Sequence, residues 1–188
     1  MESKNIMIVG VGGQGSLLAS KLLGKLLLSQ GCDVKVSEVH GMSQRGGSVV
    51  TYVRAGERVC SPVIEPGEAD FVLAFEKLEG ARFAPYLKPG GVLIVNTQEI
   101  DPMPVITGKT AYPSDILSSL SGITVEAADA LALAEAAGSA KAVNVVLLAK
   151  LAKYLPVPYE KWVSAIENAV APRFTEMNLK AFKTSYDQ

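Results

Sequence analysis

Apolar and polar positions fall into short blocks along this chain, and the blocks predict alternating strands and helices. Residues 5–9, Asn-Ile-Met-Ile-Val, read as a buried strand ended by Gly10. A helix is expected over 14–30, where Leu17, Leu18, Lys21, Leu22, Lys25, Leu26 and Ser29 show mixed helical periodicity and Gly31 supplies the stop. Residues 33–39 alternate with period two, so strand, glycine turn, helix and strand make a βαβ unit with parallel strands and a right-handed crossover. The strand expected at 48–55 follows too closely for a crossover helix, which makes it antiparallel or an edge. A buried strand at 70–75, a helix at 76–86, the turn Pro89-Gly90-Gly91 and a strand at 92–95 repeat the pattern. The stretch 99–113, with Pro102, Pro104 and Pro113, is irregular apart from a short strand at 103–106. A helix near 113–120, a strand at 123–126 and an Ala-rich helix at 127–137 follow. Residues 141–154 are apolar nearly all round, as in a helix buried on several sides, and Pro156 and Pro158 stop it. Two more helices are expected, at 159–170 and from about 173 onward. The chain therefore reads as one α/β domain, residues 1–188: Rossmann-like, with a mostly parallel sheet flanked by helices and a helical C-terminal third.

Composition narrows the chemistry. The 188 residues are 48% hydrophobic with a net charge of −1, which argues against disorder and against nucleic-acid binding driven by bulk charge. Two cysteines, Cys32 and Cys60, and a single histidine, His40, cannot supply the four thiolates of a cubane cluster or the four ligands of a structural zinc site. No Gly-x-Ser-x-Gly elbow is present, so no catalytic residue and no metal ligand are assigned. The N-terminus lacks the pattern of a signal peptide, and the longest strongly apolar run, 142–149, is too short to span a bilayer. The expectation is a cytoplasmic protein with no membrane or nucleic-acid partner.

Two glycine-rich segments carry the functional signal. Gly10-x-Gly12-x-x-Gly15 follows a strand and opens a helix, where backbone N–H groups and the helix dipole favour an anion. Gly10, Gly12, Gly13, Gln14, Gly15 and Ser16 are the candidate contacts. A dinucleotide would also want an acid at the end of the second strand, and Glu38 is available there. The plainer readings are phosphate contact without a dinucleotide, or a tight strand-to-helix turn; Gln14 sits where a small or apolar residue is usual. The second segment is His40-Gly41-Met42-Ser43-Gln44-Arg45-Gly46-Gly47, expected on the same rim, beyond the carboxyl ends of the strands. His40 reads as a hydrogen-bonded loop residue rather than an acid or base. Arg45 suits either a bidentate anion clamp or an inter-subunit salt bridge. Met42, Ser43, Gln44, Gly46 and Gly47 read as loop or interface residues.

The glycine turn, the segment from Ser37 to Gly47, and the runs Asp70–Glu76, Lys88–Gly91 and Ala142–Leu148 together resemble the gamma domain of the 2-oxoacid:ferredoxin oxidoreductases over nearly the whole chain. The form His-Gly-Met-Ser-Gln-Arg-Gly-Gly is similar to the indolepyruvate branch, where this domain is the small (beta) subunit. The resemblance implies a non-catalytic subunit, inactive alone, of an enzyme that oxidatively decarboxylates a 2-oxoacid to its acyl-CoA and passes electrons to ferredoxin. Thiamine diphosphate and the iron–sulfur clusters are then expected in the large (alpha) partner subunit, with none in this chain and coenzyme A as co-substrate. A subunit built for a complex is expected to expose an apolar patch and to form a homodimer when isolated. A free-standing Rossmann-type NAD(P)- or nucleotide-binding oxidoreductase or regulator is the alternative, separated from the first reading by copurification with such a partner.

Overall fold

The computed structural model describes residues 2–41 and 46–188. Strand β1 (Lys4–Val11) leads into helix α1 (Ser16–Ser29), then β2 (Asp33–His40) and β3 (Ser48–Gly56). Next come β4 (Ala69–Ala74), α2 (Lys77–Phe83), β5 (Leu87–Asn96), a single-turn helix α3 (Met103–Ile106) and β6 (Thr124–Ala128). Helices α4 (Ala130–Ala137), α5 (Val143–Ala152), α6 (Tyr159–Ala169) and α7 (Pro172–Tyr186) complete the chain.

The six strands form one sheet in the order β2-β3-β1-β4-β5-β6. Pairs β1–β4, β4–β5 and β5–β6 are parallel, while β3 runs antiparallel to both β1 and β2. The α/β class and the mostly parallel sheet agree with the sequence reading. The first βαβ unit needs a correction in detail. Strands β1 and β2 point the same way, but β3 lies between them and β2 becomes the edge. The short connection after β2 lets β3 fold back at once, and its Val49, Val50, Val53 and Ala55 are buried, as suits a strand inside a sheet.

Two expected elements are absent. Residues 103–106 are helical rather than extended: Pro104 presets φ in the first turn, and the Val105 and Ile106 N–H groups donate to the Pro102 carbonyl. Over 113–120 the chain turns and bends without a helix. Asp115 adopts a positive φ of 55°, and the Ser118 and Ser119 hydroxyls donate to the Asp115 and Ile116 carbonyls, offering the backbone an alternative to the helical ladder.

Two apolar layers sandwich the sheet. On one face, Ile6, Ile8, Val53 and Ile94 meet α1, α4, α5 and α7, with Trp162 and Phe182 fully buried among them. Every residue of α5 is buried: its apolar side chains pack on several sides, and the two polar ones, Asn144 and Lys150, are buried with them, Lys150 at 3.8 Å from Glu126. On the other face, Met7, Val9, Val72, Leu93 and Val95 form a smaller core, covered in part by Phe83, Leu117 and Leu120. Gly80 lets α2 approach this face: a Cβ there would meet Ala74 Cβ at 3.0 Å and Val95 Cγ2 at 3.1 Å.

Candidate functional site

The glycine turn leaves β1 where the sheet's carboxyl ends gather. Gly13 and Gly15 take φ of 102° and 90°, values that a side chain would strain, so the chain can reverse and open α1 at Ser16. Gly15 caps α1 without any side-chain hydrogen bond, and no acid stands in the first turn. The first N–H groups of such a helix have no intrahelical acceptor and carry its positive dipole end. They face an open cleft of about 450 Å³ lined by Gly12, Gly13, Gly15, Ser16, Leu17, Glu38, His40 and Val49. The structure thus brings the turn and the end of β2 to one rim.

The turn is braced from below. Gln14 accepts a hydrogen bond from the Val11 N–H at 2.7 Å and donates to the Phe75 carbonyl at 2.9 Å. Its side chain therefore stitches β1 to the end of β4. Gly10 is the close approach that makes this possible, since a Cβ there would lie 2.8 Å from Gln14 Oε1 and 2.9 Å from Phe75 Cβ. Asn96 adds a buried crosslink: it donates to the Phe75 carbonyl and accepts from the Ala130 N–H, joining β4, β5 and the start of α4. Asn144, at the start of α5, packs against Gly15.

The loop after β2 meets the turn through backbone. The Gly12 N–H donates to the Gly47 carbonyl at 2.9 Å and the Gln14 N–H to the Val11 carbonyl at 3.3 Å, so these two amides are engaged, leaving those of Gly13, Gly15 and Ser16 at the cleft. His40 is exposed, with Nδ1 3.2 Å from the Gly41 carbonyl. Met42, Ser43, Gln44 and Arg45 lie outside the described residues. Gly46 takes a φ of 75° on the way into β3. Glu38 and Thr51 are cross-strand partners, and among the described residues neither Glu38 Oε2 nor the fully buried Thr51 Oγ1 has a hydrogen-bond partner. The cleft thus joins an anion-favouring helix end to an acceptor carboxylate.

Sequence reasoning missed a buried acidic pair behind the rim. Glu76 caps α2 by accepting from the Glu79 N–H at 2.8 Å, and its other oxygen accepts from the Tyr112 hydroxyl at 2.5 Å and the Ile100 N–H at 3.3 Å. Burial, with the Glu76 carboxylate beside it, pushes the Tyr112 hydroxyl well above the usual tyrosine range. Glu79 accepts from Ser48 Oγ at 2.5 Å and from Arg82 Nε at 3.1 Å. The one local signal was an acid followed three residues later by another at a helix start; the partners Tyr112 and Ser48 are distant in sequence. Among the described residues no group of three or more His, Cys, Asp or Glu side chains could hold a metal ion, and no helix is long and apolar enough to cross a membrane.

A mixed α/β sheet with a glycine-turn cleft at its carboxyl rim is thus the frame to compare. The sequence profile of the pyruvate ferredoxin/flavodoxin oxidoreductase family matches residues 5–188, and this chain belongs to that family. It is similar along its length to the indolepyruvate oxidoreductase subunit IorB of Pyrococcus horikoshii, at 42% identity over 97% of this chain and 94% of the relative. The subunit of the same name from Thermococcus kodakarensis is 41% identical, with the same coverage. Among solved structures, the pyruvate oxidoreductase subunit PORC of Thermotoga maritima shares the fold, with a TM-score of 0.75 at 21% identity over 100% of this chain and 97% of that one.

Proposed function

We propose that this chain is the small, non-catalytic subunit of an indolepyruvate:ferredoxin oxidoreductase. In this reading all 188 residues act as one gamma-type domain. The holoenzyme converts an aryl pyruvate and coenzyme A into the acyl-CoA and carbon dioxide, and two electrons pass to ferredoxin. The large subunit holds thiamine diphosphate and the iron–sulfur clusters. The similarity to IorB subunits along almost the full length of both chains carries the proposal.

The rim is this chain's contribution. The N–H groups of Gly13, Gly15 and Ser16 offer an anion site, and Arg45 can add a bidentate charge from the neighbouring loop; a phosphate of coenzyme A is the anion proposed. An apolar cleft of about 320 Å³ walled by Leu18, Val170, Phe174 and Met177 supports a partner-covered surface beside that rim. Without the large subunit the chain covers such a surface by pairing with itself, and the complex works in the cytoplasm.

Reconstitution tests the proposal. The purified chain alone is expected to show no 2-oxoacid:acceptor reductase activity, and addition of the large subunit is expected to give coenzyme-A-dependent turnover of indolepyruvate. Substantial turnover by the lone, metal-free chain overturns the subunit reading.

A further inference from the structure

We infer that Glu79 is a positioning residue for the glycine cleft, acting through Ser48 from the opposite face of the sheet. The cleft lies on the α1 face, whereas α2 packs on the other, against Ala74 and Val95. Glu79 sits in α2 with only 6% of its surface exposed. Its Oε2 accepts from Ser48 Oγ, and Ser48 is the first residue of β3. The residue before Ser48 is Gly47, whose carbonyl holds the Gly12 N–H at 2.9 Å. Gly12 and Gly13 are cleft wall. One chain of contacts therefore runs from α2 through the start of β3 to the turn that aims the first amides of α1.

The arrangement is more than α2 needs for its own stability. Glu76 already caps the helix by accepting from the Glu79 N–H. The Glu79 side chain could have been apolar, as its burial would favour, yet a carboxylate is kept there and satisfied by Ser48 and Arg82. Its geometric effect is to fix the entry into β3. Gly46, with its positive φ, and Gly47 lie just upstream and contribute no side chain to hold that entry. The inference rests on the coenzyme A reading of the cleft.

Steady-state kinetics of the reconstituted holoenzyme test it. Ser48→Ala removes the donor and leaves the backbone and the cleft lining in place. Its KM for coenzyme A is expected to rise about three- to tenfold, part of the worth of a hydrogen bond to a charged group, with kcat and the KM for the 2-oxoacid unchanged. Ser48→Thr keeps the hydroxyl on a residue suited to a strand and is expected to restore the wild-type KM. A second measurement uses the isolated chain: trypsin cleavage after Arg45 is expected to be faster in Ser48→Ala than in wild type or Ser48→Thr. An assembled Ser48→Ala enzyme with unchanged KM for coenzyme A, or with equal losses in every parameter, overturns the positioning role. If the wild-type complex shows no coenzyme-A-dependent turnover, the subunit reading fails, and unchanged trypsin cleavage then separately overturns the link from Glu79 to the loop.

Discussion

Strand β4 buries all six of its residues, whereas β2, eight residues long, buries none. The two lie in one sheet, separated by β3 and β1. Parallel strands β4 and β5 are covered on both faces, the usual condition of a parallel sheet. The antiparallel side ends in an open edge with Val36 and Val39 exposed, and this side brings Glu38 and His40 to the cleft. The difference assigns separate duties. The parallel side holds the shape, and the thinly covered side leaves Glu38 and His40 lining an open cleft.

The comparison breaks most sharply under truncation. Leu73→Ala in β4 is expected to cost about 2–5 kcal/mol through lost burial and a residual cavity, while Val36→Ala in β2 is expected to cost less than about 1 kcal/mol. Denaturant unfolding of the two variants checks this, and equal losses would mean that the edge strand is as deeply integrated as the centre. Gln14→Ala tests the brace between the two sides, since Gln14 joins the turn after β1 to the end of β4. Loss of its bonds to Val11, Phe75 and Gln98 is expected to cost about 1–3 kcal/mol and to leave the Val11 N–H without its acceptor; thermal unfolding measures it.

The smallest effect concerns the far edge. Burial, and then the hydrogen bond to Glu126, push the Tyr154 hydroxyl up to about 12. The proton is held more tightly in the folded chain than in the unfolded one, so this contribution is complete below about pH 10 and is lost as the pH rises from there towards 12. Tyr154→Phe is expected to lose stability less steeply across that window. Parallel pH–stability curves for the two proteins would remove the tyrosine from the account.

Much of the fold was legible because its signals are local. Gly31 takes a positive φ of 81° just beyond α1, and Pro158 and Pro172 stand at the starts of α6 and α7. The insertion of β3 between β1 and β2 was not legible, because strand order depends on pairing between residues far apart, such as Ile6 with Val53. The helix expected near 113–120 failed on one backbone angle at Asp115, a residue type tolerated in both conformations. In the site, the glycine spacing pointed to the turn and to its nearness to His40. It could not show that the Gln14 side chain turns inward as a brace, nor that Ser48 and Glu79 meet across 31 positions of sequence.

The complete burial of α5 also has a consequence for how the chain is made. A mostly apolar helix with no water-facing side has little reason to stand free, and part of its cover is α7, which follows it in the chain after α6. The Ser185 hydroxyl, near the end of α7, donates to the Val146 carbonyl in the middle of α5. Synthesis runs from α5 towards α7, so α5 is made before that part of its cover exists and stays partly bare until α7 follows. This is the interval in which a chaperone would act on it, and a transcript cut short before α7 would give a product prone to aggregate.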